Sequence, residues 1–253
     1  MRTYTNLTWP DDPYRTSQQL YRRPSPVLAA VAVMLPGQAT HTVLAAVAVT
    51  YLPLHRTRVL TTSDGTLAFG FRAVSAADTE EIRELVRLAD LDLMQARRHA
   101  RFLAGHQPPA QLRALREAAP GMVTRGLDAV EADWANRQVR ERGAATLIDI
   151  GANVGNGTGD LSDACHDASV EASPASLTGH VALGGAAGDA VTAEHMAATA
   201  AERALVIALL CARHLDRYRW DGVLGTARVM AATTWDLFPH VTWDHTSYAQ
   251  PTS

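Results

Sequence analysis

Two runs of seven residues, Val27–Val33 and Val43–Val49, are identical in sequence, and Pro36-Gly37 lies between them. Short valine-rich runs split by a proline–glycine turn signal predict paired strands buried on both faces. Their alanines keep a helical hairpin open as the alternative. Thr57–Thr62 and Thr66–Val74 alternate polar and apolar residues around Ser63-Asp64-Gly65, and an Asp-Gly pair suits a tight hairpin turn. Residues 27–74 therefore predict a small antiparallel sheet. The polar, proline-punctuated stretch 1–25 before it is expected to be an extended arm.

Helical periodicity follows. Asp78, with Glu81 three residues on, makes a capping-box start, and Ile82, Leu85, Ala89, Leu93, Ala96, Ala100 and Leu103 recur at helical spacing up to Gly105. Pro108-Pro109 and Pro120-Gly121 bracket a short helix containing Leu112 and Leu115. A third helix is predicted from about Thr124 to Arg142, with Leu127, Val130 and Trp134 on one face and Gly143 as its stop. Leu147–Ile150 reads as a short buried strand, and residues 151–190, dominated by small and polar types, as loops and weak elements. A long helix from Thr192 to about Arg217 is apolar on every side between Ala204 and Ala212, which predicts a path through the centre of the core. A last helix, 222–238, leads to an aromatic tail with Trp243 and Tyr248. The expected fold class is α+β: a small antiparallel sheet in the N-terminal third, then a mainly helical part. Residues 26–253 would form a single domain with a sub-boundary near 143–150.

Composition removes several chemistries. All 23 basic residues are arginine. Without lysine the chain has no Schiff-base amine, no Walker A lysine and no kinase third-strand lysine, and arginine stays protonated with a pKa above ~12. A formal charge of −3 rules out a polyanion-binding field over the whole surface. Cys165 and Cys211 form no CxxC pair, so the cytoplasm is the expected setting. Arg22-Arg23 before the apolar run to Leu35 mimics an export signal, but Pro24 and Pro26 stand where such a signal wants apolar residues. No run reaches the ~18 uninterrupted apolar residues of a membrane span.

The chemically suggestive segment is Leu147-Ile148-Asp149-Ile150-Gly151-Ala152-Asn153-Val154-Gly155-Asn156-Gly157-Thr158. A strand end followed by glycines lets a backbone approach a ligand closely. This segment resembles motif I of the class I S-adenosylmethionine-dependent methyltransferases. The resemblance implies that Asp149, Gly151, Asn153 and Gly155 line the cofactor's methionine end, and that Glu171, near the end of a following strand, holds its ribose. It covers about 28 residues. Only 98 residues follow Gly155, whereas a doubly wound fold needs roughly 130 or more beyond the motif. A permuted order would place a D-P-P-Y motif first, and Pro10-Asp11-Asp12-Pro13-Tyr14 matches it in part. A buried strand leaving through a turn accounts for the same residues without a cofactor.

Other groupings carry rival readings. Arg97, Arg98 and Arg101, Arg137 to Arg142, and Arg213, Arg217 and Arg219 form three basic clusters. They would suit a non-catalytic helical protein contacting nucleic acid or a partner within a mobile element or assembly. They equally complement helix C-termini. His240, Asp244 and His245, near Asp236, would suit a metal-dependent enzyme, although a solvated tail explains them without a metal. Cys165-His166-Asp167 holds the residue types of a thiol dyad, but adjacent side chains diverge. His180 and His195 are the only candidates for a catalytic base, and His195 with Glu202 would face a cleft or cap a helix.

Overall fold

The computed structural model describes residues 1–7, 26–34, 45–136, 144–153, 159–178 and 190–243. In chain order, strands β1 (Arg2–Thr5), β2 (Val27–Met34), β3 (Ala45–Pro53), β4 (Leu60–Thr61) and β5 (Gly70–Ala76) precede helix α1 (Thr79–His99). Then come β6 (Phe102–Gly105), α2 (Pro108–Ala118), α3 (Arg125–Ala135), β7 (Thr146–Asp149) and the single turn α4 (Ile150–Asn153). The chain continues with α5 (Leu161–Asp167), β8 (Val170–Glu171), α6 (Pro174–Thr178), α7 (Ala190–His214), β9 (Tyr218–Arg219), β10 (Leu224–Gly225) and α8 (Thr226–Thr234). The fold class is α+β.

Six strands form one sheet in the order β1-β5-β3-β2-β6-β7. The first three pairings are antiparallel, and β2-β6 and β6-β7 are parallel. The two identical sequence runs meet in the middle as β2 and β3, with Val31 opposite Val49 and Ala32 opposite Ala48. Period-two alternation then separates valines from alanines in the middle of the pair, while Leu28, Met34 and Leu52 flank the alanines and Ala29 and Ala45 flank the valines. Val31, Val47 and Val49 face α1, α2 and α3, whereas Ala30, Ala32, Ala46 and Ala48 face α7. The helix answers with alanines of its own: Ala197, Ala200, Ala201, Ala204 and Ala208 are all fully buried. Small residues on both sides let helix and sheet approach closely. From Ala204 to Ala212 no residue of α7 is more than 1% exposed. Each buried Leu, Ile or Val there contributes about 1.5–3 kcal/mol. Val191–His214 is long and apolar enough to cross a membrane, but here it is the core helix under the sheet.

Three sequence expectations change. The helical periodicity through Leu103 breaks at His99, because Ala100 turns extended and residues 102–105 pair with β2. Tertiary pairing overrides local pattern there, and Leu103 is buried in either reading. The Ser63-Asp64-Gly65 turn closes no hairpin. β4 pairs with β9 and β5 with β3, while the Asp64 carboxylate accepts the Gly225 N–H and binds Arg228. Within the stretch read as an arm, residues 2–5 are an edge strand on β5, and the Met1 amine is paired with Glu81. The predicted start of α1 is present: Asp78 Oδ1 accepts the Glu81 N–H, and Glu81 reaches back to the Ala77 N–H. The Pro10–Tyr14 motif, the Pro36-Gly37 turn and the end of the predicted third helix lie outside the described residues.

One ion pair between the sheet and α1 gives a pH dependence that can be measured. Arg72 on β5 donates to Asp92 on α1 at 2.8 Å. Burial pushes the Asp92 carboxyl up to about 6, against the opposing pull of Arg72. The folded pKa lies above the unfolded value of about 3.9, so the folded state binds this proton more tightly between pH 4 and 6. Stability from this site is present below pH 4 and falls as pH rises through that window, by roughly 3 kcal/mol. Asp92→Asn should remove that component. Its denaturation midpoint, measured against wild type, should improve from pH 4 to pH 6 and then level off, and a difference that stays constant with pH would refute the assignment.

Candidate functional site

The chain leaves β2 toward β3 on one side of the sheet, and leaves β6 through α2 and α3 toward β7 on the other. β2 and β6 are parallel neighbours, so their carboxyl ends lie side by side at one end of the sheet. A cleft of about 530 Å³ opens at that place. Val33 and Met34 at the end of β2 form its floor, and His106 and Gln107 after β6 form one wall. Gly159 and Asp160 before α5, Thr178 at the end of α6, Arg203 on α7 and the exposed Ala110 complete its lining. The size is that of a small-molecule site. A second, apolar hollow under α2, between Leu112, Leu115 and Leu147, has room for only about 30 Å³ and is a packing void.

The wall after β6 is a strained elbow. Gln107 has φ +52°, a left-handed conformation that non-glycine residues adopt at a cost of about 1–3 kcal/mol. Asp149, at the end of β7, holds it there: its Oδ1 accepts the Gln107 N–H and the Gly151 N–H, each at 3.0 Å. Gly151 packs beside this arrangement, and a Cβ on it would make only ordinary contacts with Asp149 Oδ1, Gln107 and His106 at 3.4–3.5 Å. Gln107 is followed by Pro108 and Pro109, which have no N–H, and its carbonyl accepts the N–H groups of Ala110 and Gln111. The start of α2 thus has few donors left for a ligand.

His106 and Arg203 are hydrogen-bonded to each other in the lining of the cleft. Arg203 Nη2 lies 3.3 Å from His106 Nδ1, and His106 Nε2 lies 2.7 Å from the Gly159 carbonyl. A guanidinium can only donate, so Nδ1 accepts and the imidazole proton sits on Nε2. Burial lowers the His106 pKa, the Gly159 carbonyl raises it partway back, and the Arg203 charge lowers it again. His106 is therefore neutral and committed at both nitrogens.

The structure separates the residues that the sequence singled out. Asp149 and Gly151 lie directly behind the cleft wall. Glu171 does not line the cleft: it sits on the β8-β10 ladder, 3.6 Å from Arg228. The side chain of Asn153, and Gly155 and His180 altogether, lie outside the described residues. β7 is the outermost strand of the sheet among the described residues, not the central strand of a parallel sheet. His195 bonds the Val191 carbonyl one helical turn back, and Glu202 is turned into the core, accepting from Ser173 and Thr226. Cys165 is buried, with its thiol pushed up to about 12 by burial first of all, so it is no nucleophile.

The basic clusters are engaged locally. Arg97 makes a two-point pair with Asp133, Arg101 lies over Phe102, and Arg213 lies over Trp220. Arg98 and Arg101 are exposed, Arg217 is half-buried, and α1 and α7 lie on opposite faces of the sheet. Arg137 to Arg142 lie outside the described residues, as do Asp244 and His245. His240 donates its backbone N–H to Glu194, and no cluster of three metal-ligating side chains occurs among the described residues.

Sequence reasoning missed His106, Gln107 and Arg203. Arg203 had a signal, since a charge next to nine apolar residues on a core helix needs a reason. The chain matches no protein-family model, no curated protein and no solved structure.

Proposed function

We propose that this chain binds a small molecule in the cleft at the carboxyl ends of β2 and β6, and that S-adenosylmethionine is the ligand to test first. The cleft itself carries the reading. It stands at the carboxyl ends of two parallel neighbours, it is ligand-sized, and a strained Gln107 elbow lines it. The cofactor reading draws support from one further feature: the strand that ends at Asp149 turns at once into α4, and Asp149 and Gly151 anchor that wall. Against a standard methyltransferase layout stand the edge position of β7 and the placement of Glu171 away from the cleft. A methyltransferase of this kind would hold its cofactor without the usual ribose carboxylate, and its methyl acceptor is open.

Thermal denaturation with S-adenosylmethionine, its demethylated product, adenosine and AMP tests both levels. A ligand at 100 times its Kd stabilises the fold by about 2.7 kcal/mol. For a chain of this size that is a rise in Tm of roughly 5–10 °C. Ala110 is exposed on the rim, so Ala110→Trp should fill the mouth, abolish the rise and leave the unliganded Tm nearly unchanged. A shift by adenosine-based ligands that survives Ala110→Trp would place their site elsewhere and end this proposal.

A further inference from the structure

The geometry points to an anionic group on the ligand, a carboxylate or a phosphate, that docks on the guanidinium of Arg203. This inference rests on the cleft being the ligand site. Arg203 is only 7% exposed. A buried cation without a counter-charge costs several kcal/mol, and folded proteins seldom keep one idle. Nη1 donates to the Ser176 and Leu177 carbonyls at 2.5 and 2.6 Å, and Nη2 to His106 Nδ1. All three acceptors are neutral. Among the described residues Arg203 has no carboxylate partner, and its chain neighbour Glu202 is spent on Ser173 and Thr226.

A neutral amide could satisfy two carbonyls at the end of a five-residue helix, so capping α6 does not explain a full charge. Three bonds leave the Nε–H and one Nη2–H without a partner among the described residues, on a side chain that lines the cleft. Two donors on a planar fork suit an anion with two oxygens. Neutral His106 holds the fork by accepting from it, which makes it a positioning residue. Asp160 lines the same cleft and caps α5 through the Ser162 N–H. One cation facing one carboxylate suits a single anionic group in preference to a polyphosphate chain.

The test needs no knowledge of the whole ligand. At constant ionic strength, sodium acetate, sodium phosphate and the neutral isostere acetamide are titrated to 100 mM, with sodium chloride as the reference. The expected result is a rise in Tm of at least about 2 °C for acetate or phosphate and none for acetamide. The stronger of the two anions identifies the group. Arg203→Gln should abolish the rise and Arg203→Lys should keep part of it. If Arg203→Gln does not fold, Ala110→Trp provides the check, since blocking the cleft must also abolish the rise. Equal behaviour of acetate, phosphate and chloride overturns the inference, as does a rise that persists in either blocking variant. The adenosine-ligand series judges the cleft separately, so a neutral ligand that binds there would leave that reading standing while this one falls.

Discussion

Asp149→Ala should lower the melting temperature by roughly 5–10 °C and remove ligand-induced stabilisation altogether. The carboxylate takes two backbone N–H groups on one oxygen, from Gln107 and Gly151. Hydrogen bonds to a charged group are each worth about 1.5–3 kcal/mol, and both donors would be left facing a partly buried void. The loss also frees an elbow that is strained to begin with. Gln107 holds φ +52° only because the surrounding bonds over-determine it, and without Asp149 it should relax toward ordinary backbone. The cleft wall would then move. Asp149→Asn keeps an acceptor oxygen and should lose less than half as much stability. Matching unfolding curves for wild type and Asp149→Ala would show that the elbow is held by something else.

A second large effect is expected far from the cleft, where propensity and packing oppose each other. Gly126 lies in the first turn of α3, and alanine there would gain about 1 kcal/mol of helix propensity. A Cβ at that position, however, would lie 2.0 Å from the Asp90 carbonyl oxygen and 3.0 Å from the Met94 nitrogen. Both atoms are backbone of α1, so no rotamer change relieves the overlap. The helices must separate. Separation breaks the bonds from the Arg125 and Leu127 N–H groups to the buried Asp90 carboxylate, at 3.2 and 2.8 Å. Gly126→Ala should therefore cost about 3 kcal/mol net or more, read from its urea midpoint. A variant as stable as wild type would mean that α1 and α3 are not in such close contact.

How much the sequence disclosed depended on whether the signal was local. The β2-β3 pair, the capped start of α1 and the all-round apolar α7 are written in periodicity and end signals, and the structure contains each of them. β6 was hidden because Ala100 and Leu103 fit a helix as well as a strand, and only pairing with β2 decides between them. The Asp64 turn was misread because its carboxylate bonds Gly225, a partner 161 residues away. The cleft was least legible. His106 and Arg203 lie 97 positions apart, and nothing in either neighbourhood announces the other. The glycine-rich segment did mark a place of consequence, since Asp149 and Gly151 build the wall beside the cleft. The same residues could not show that β7 would lie at the margin of the sheet, because strand order is a property of the whole chain.

The alanine seam between α7 and the β2-β3 pair bears on how selectivity could arise. Methyl groups have no torsions to re-choose, so this part of the interior is held in one arrangement. Arg203 starts from that rigid helix, and its bonds to the Ser176 and Leu177 carbonyls and to His106 fix its charge in place. If the cleft holds the proposed ligand, discrimination should reside in the lining that lies off α7, at Ala110, Thr178 and Asp160, and changing those side chains is the route to altered preference.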